Sequence, residues 1–161
     1  MLSNYLSFGF PIKSAMAVYI HYLGIILCVG TLLFERILLK ANLNRKDSIL
    51  LIITDSIYGF AGLAILFTGI LRVKYFGQGG DFYTSNPVFW IKVTIFIIIG
   101  LISLYPTVTY ISWVLPIRKN KSIMISENVV KRFKFLITTE LIGFAIIPFF
   151  ATLMARGVGL N

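Results

Sequence analysis

The chain has 161 residues, 58% hydrophobic and 13% charged, with a net charge of +9 and a mean hydropathy of +0.89. A soluble domain averages about 45–50% apolar and about 25% charged residues, so this balance excludes an ordinary soluble fold. The basic residues cluster in short loops between apolar runs, which is an orientation signal of membrane proteins and argues against nucleic-acid binding.

A helix needs about 20 apolar residues to cross a bilayer. The opening segment, MLSNYLSFGF, is rich in aromatics and ends at Pro11, which suits a stretch lying in the interface. Four longer runs follow, at 15–39, 49–71, 88–115 and 129–155. The first is too long for a signal-peptide core. Pro106 and Pro148 are expected kinks in the third and fourth. The predicted fold is all-α: an integral membrane four-helix bundle with antiparallel up-down topology. Both termini lie on one side, and residues 1–161 form a single transmembrane domain. The lone Cys28 sits inside an apolar run, so no disulfide framework exists and a packing role is expected.

Ten basic residues flank or fill the first and third loops: Arg36, Lys40, Arg45, Lys46, Arg118, Lys119, Lys121, Lys131, Arg132 and Lys134. Five lie toward the other side: Lys13, Arg72, Lys74, Lys92 and Arg156. The asymmetry favours loops one and three in the cytoplasm and both termini outside, in a bacterial plasma membrane or another energy-transducing membrane. The second loop, RVKYFGQGGDFYTSNPVFW, combines glycines with six aromatics. It reads either as an interfacial aromatic belt or as a lid over an outward cavity. Gly157 and Gly159 suit a helix end near the C-terminus.

Residues three, four, seven or eleven apart share a helix face. The resulting stripes are His21, Gly24, Cys28, Thr31 and Glu35; Asp55, Gly59, Gly62, Leu66 and Gly69; Lys92, Phe96, Ser103 and Tyr110; and Glu140, Gly143, Ile147 and Ala151. Small residues let helices approach in lipid, so these faces are expected to point inward. A charge in lipid is costly, about 2.5 kcal/mol or more on insertion scales, so intramembrane ionisable residues are functional candidates. Two polar layers are predicted. The outer one holds His21, Lys92 and Arg72. The inner one holds Asp55, Glu140 and Tyr110, with Arg36 reaching up to it.

Each candidate also has a structural reading. His21 either bonds a hydroxyl or carbonyl on a neighbouring helix or acts as a ligand or proton carrier. Lys92 either snorkels to headgroups or faces a cavity. Glu35 and Arg36 form an interfacial pair, or Arg36 anchors Asp55. Asp55 is either structural glue or functional. Glu140, near mid-membrane, favours function.

The strings HYLGIILCVGTLLFERILLK, DSIYGFAGLAILFTGILRVKYFGQGGDFY, NPVFWIKVTIFIIIGLISLYPT and ELIGFAIIPFFATLMARG resemble a bacterial family of small membrane proteins designated a domain of unknown function. That family is similar in turn to the copper-resistance protein D-like superfamily, with its membrane protoporphyrinogen oxidase that works with haem. In the oxidase pattern a first-helix His precedes a Gly and an Arg, as do His21, Gly30 and Arg36 here; a Trp and a Lys open its third helix, as do Trp90 and Lys92. The resemblance implies haem as cofactor and His21 as its axial ligand. The chain has one His, so a second axial position would be filled otherwise, left vacant or supplied by another subunit.

Three functions follow as expectations: haem- or porphyrin-linked redox chemistry at His21, proton- or ion-coupled transport through Asp55 and Glu140, or a non-catalytic accessory role in a membrane complex. The bilayer is the first partner. A homo-oligomer or a larger membrane complex is the second. No nucleophile motif, phosphate-cradling Gly loop or metal-ligand cluster marks a soluble-type enzyme.

Overall fold

The computed structural model describes residues 2–120 and 122–159, with side chains from Phe10 onward. Lys121 and most side chains of the opening segment therefore lie outside the described residues. The helices are α1 (Leu2–Leu38), α2 (Arg45–Leu71), the short α3 (Gly80–Thr84), α4 (Pro87–Arg118) and α5 (Glu127–Ala155). Among the described residues α1, α2, α4 and α5 are long and apolar enough to cross a membrane. The α1 helix runs through Pro11 instead of stopping there, and α4 and α5 run through Pro106, Pro116 and Pro148. A chain in lipid has no water to satisfy an opened backbone, so continuing the helix is favoured over breaking it.

The helix starts are written in the sequence. Asn44 caps α2 by accepting from Asp47 N at 2.7 Å, and Asn86 caps α4 by accepting from Val88 N at 2.8 Å, with Pro87 in the first turn. Ser126 caps α5. Gly157, at φ 82°, ends α5 in a Schellman turn: Val158 N donates to Leu153 O and Gly157 N to Met154 O. The expected glycine stop is therefore observed.

The spanning helices pack as a ring in which α1 touches α2 and α5, and α4 touches α2 and α5. This is the up-down bundle expected. Two short strands, β1 (Asn42–Leu43) and β2 (Ile123–Met124), pair antiparallel and tie loop one to loop three. Lys40 and Asp47 add an ion pair in loop one at 2.5 Å. At the other end the rings of Phe10 and Phe76 meet, and Asn86 Nδ2 donates to Val158 O. Both ends of the described chain thus lie beside loop two.

Close approach depends on two glycines. A Cβ on Gly24 would come within 2.8 Å of Ile65 Cγ1, where α1 meets α2. A Cβ on Gly143 would come within 2.6 Å of Ile99 Cγ2, where α4 meets α5. Large side chains such as Ile37, Phe60, Leu101 and Phe135 are exposed around the outside. Apolar exposure on this scale would be untenable in water and is what a lipid-facing surface requires.

Loop two differs from both expectations for it. Helix α2 continues as a π-helical turn, Arg72–Phe76, followed by α3. Tyr83, Val88 and Met154 then form a small core of their own, with Phe82, Phe89 and Phe150 packed against it. Asn86 is wholly buried beneath this cap. Tyr75 and Trp90 remain exposed, as a belt requires, while Phe82 and Tyr83 turn inward.

Candidate functional site

The inward faces agree with the stripes on α1 and α5 and differ on α2. Its buried residues are Ser48, Leu51, Thr54, Asp55, Tyr58, Ala61, Ile65 and Thr68, whereas Gly59 and Leu66 are exposed. The glycine row was read as the contact face, but the larger contact is with α1, where Ala61 and Ile65 meet Gly24. On α4 the buried face is Ile99, Ser103, Pro106, Tyr110 and Trp113; Lys92 and Phe96 are only half-buried.

Near loop two, His21, Arg72 and Lys92 are close enough to interact electrostatically, as the outer layer required. His21 Nδ1 lies 3.0 Å from Thr68 Oγ1, and the Thr68 hydroxyl is 2.6 Å from Ala64 O. Thr68 has one hydrogen, which the shorter contact assigns to Ala64. The His21 Nδ1–H then donates to Thr68, and the lone pair of a neutral ring is on Nε2. The Lys92 ammonium sits 5.5 Å from the centre of the Phe89 ring, at the headgroup end of α4. This position is compatible with snorkelling.

The inner layer is larger than expected. Glu35 on α1, Asp55 on α2 and Glu140 on α5 converge with Tyr110 on α4. Glu35 is 2% exposed, Glu140 1% and Tyr110 0%, so none of them reaches water. Asp55 Oδ1 accepts from Thr107 Oγ1 at 2.8 Å. By contrast, Glu35 Oε1, the Tyr110 hydroxyl and both oxygens of Glu140 have no hydrogen-bond partner. The Tyr58 hydroxyl is turned toward Glu140 but falls short of hydrogen-bond geometry.

The interfacial pair of Glu35 with Arg36 is not formed. Glu35 turns into the bundle, seven residues after the buried Cys28 and so on its face. Arg36 is half-buried, and the one ion pair among the described residues is Lys40 with Asp47. Arg36 therefore anchors neither Glu35 nor Asp55. Cys28 is fully buried, its Sγ 3.8 Å from Tyr58 O, as a packing residue would be.

Three polar neighbours of these groups are not among the sequence candidates: Thr107, Thr68 and Tyr58. Thr107 could have been found, because it stands four residues after Ser103 and three before Tyr110 on one face. Thr68 and Tyr58 lie on the α2 face that the glycine row concealed.

Measured along their own helices from the loop-one end, Glu35 lies about 5 Å in, Tyr110 about 12 Å, Asp55 about 15 Å and Glu140 about 20 Å. The acidic groups therefore form a stair through half the bundle. Beyond it, Ala61, Ile65, Ile99 and Phe144 make an apolar layer below His21 and Thr68. A cleft of about 470 Å³ between α2 and α4 opens onto the stair at Asp55, Tyr58, Ser103 and Thr107. No group of three His, Cys, Asp or Glu among the described residues is arranged to hold a metal ion. For haem, the lone pair on His21 Nε2 is the form an axial ligand takes. The ring packs against Gly69, however, and does not line the α2–α4 cleft.

These features define a multi-pass membrane protein whose bundle interior carries an acidic layer without a cation. The chain belongs to the family described as "Predicted membrane protein (DUF2214)", whose model matches residues 13–159. No curated protein and no solved structure matches it. Nothing in these findings extends the likeness to the copper-resistance protein D-like superfamily or to protoporphyrinogen oxidase.

Proposed function

We propose that this protein is a membrane transporter that moves protons, with Glu140, Asp55 and Glu35 as the proton-carrying groups. One observation carries the reading: Glu140 is buried at mid-bundle, neither of its oxygens has a hydrogen-bond partner in the protein, and Asp55 and Glu35 are within electrostatic reach of it. A buried carboxylate with no cation beside it and only the Tyr58 hydroxyl turned toward it is costly to keep for packing alone, which favours a proton-handling role. Asp55 also lines the α2–α4 cleft, beside the lipid-facing Phe60 and Leu63. Glu140 and Glu35 lie behind it, and Tyr110 stands among all three. The apolar layer at Ala61, Ile65 and Ile99 closes the stair toward loop two. In the orientation that the basic residues favour, Glu35, the lowest step of the stair, lies toward the cytoplasm.

The reading is tested by reconstituting the protein in liposomes loaded with a pH-sensitive dye and following dissipation of an imposed pH gradient. Wild type dissipates it faster than empty liposomes, and Glu140→Gln falls to their rate. A Glu140→Gln protein with unchanged flux rejects the proposal.

Haem-linked redox chemistry at His21 is a second reading, favoured by the tautomer that Thr68 imposes. An absorption band that shifts on reduction and disappears in His21→Ala would support it. A clean protein spectrum after growth with ample haem would remove it.

A further inference from the structure

At the loop-one end of the same α2–α4 seam lies a second cleft, of about 250 Å³. Ile49, Ile52, Ile53 and Val114 form its walls, and Arg45 and Arg118 stand at its mouth. Both arginines are exposed, and neither makes an ion pair among the described residues. Arg118 is in the last turn of α4, where a cation complements the helix dipole. Arg45 opens α2, where a cation opposes the dipole, so helix stability does not account for it.

The chemistry of the cleft is that of an amphiphile site: two exposed cations at the helix ends above a furrow of branched aliphatic side chains. Guanidinium groups recognise phosphate oxygens in a planar, forked geometry. From Arg45 to Asp55 the helix descends about 15 Å, roughly the depth of one leaflet's hydrocarbon. Farther along, the seam continues into the larger cleft, where Gly59, Gly62 and Gly100 leave open space beside the backbone.

We propose that the α2–α4 seam binds an anionic phospholipid, its phosphate held by Arg45 and Arg118 and one acyl chain laid along Ile49, Ile52 and Ile53. Charge complementarity selects the anionic headgroup, and the length of the furrow selects a chain-bearing ligand over a free phosphate. The bound lipid would cover the flank through which Asp55 is reached.

The test is native mass spectrometry of the full chain in mild detergent, titrated in parallel with phosphatidylglycerol, phosphatidylcholine and glycerol 3-phosphate. Wild type is expected to retain phosphatidylglycerol in preference to phosphatidylcholine and not to retain glycerol 3-phosphate. The Arg45→Gln/Arg118→Gln protein is expected to bind phosphatidylglycerol about tenfold more weakly. Lys131→Gln/Lys134→Gln, altered on α5, is expected to bind it as wild type does. Equal retention of the two lipids, equal loss in the two double variants, or retention of glycerol 3-phosphate at the level of the lipid would each overturn the proposal.

Discussion

The two polar layers of this bundle solve the same problem in opposite ways. Near loop two, the polar groups have outlets: His21 bonds Thr68, the Lys92 ammonium lies over the Phe89 ring, and Arg72 is half-exposed beside them. In the inner layer the groups have none. Glu35, Tyr110 and Glu140 are buried and unpartnered, and only Asp55 has a donor, in Thr107. The first layer can be explained by folding and insertion alone. The second opposes stability, because buried polar atoms without a protein partner cost free energy, and the proposed proton pathway would account for them.

The difference is sharpest in the sign of a stability change. Glu140→Met fills the same space without polar atoms and is expected to stabilise the protein in detergent by about 1–3 kcal/mol, read as a higher thermal midpoint. A large loss of stability would mean that Glu140 is structural and would erase the contrast. Thr107→Val is expected to destabilise by about 1–2 kcal/mol, because it leaves Asp55 without its donor. In the outer layer, Thr68→Val is expected to lose about 1 kcal/mol and to leave proton flux unchanged. Lys92→Gln is expected to change stability by less than about 0.5 kcal/mol, since a snorkelling side chain makes little fixed contact. A Lys92→Gln protein that lost flux would bring the outer layer into the mechanism.

Most of the fold was legible in the sequence. Four apolar runs and the glycine stop at Gly157 set the helices, and short loops forced the up-down order. The candidate site was half legible. Asp55, Tyr110 and Glu140 were expected together, because charge in an apolar run must turn inward. Glu35 was expected on the inward face of α1 but also as a partner of Arg36; the pairing fails because i to i+1 neighbours do not face each other on a helix. The α2 face was misread because its glycines line an open cleft and not the contact with α1. The pairing of β1 with β2 had no signal, since two-residue strands are too short for any period.

The central claim is that protons pass through Glu140 and not through His21. The most direct measurement compares pH-gradient dissipation in liposomes by wild type, Glu140→Gln and Thr68→Val at matched protein content. The account predicts loss of flux in Glu140→Gln alone. Loss in Thr68→Val with Glu140→Gln unaffected would contradict it, and would move the working centre of the protein to the layer beside loop two.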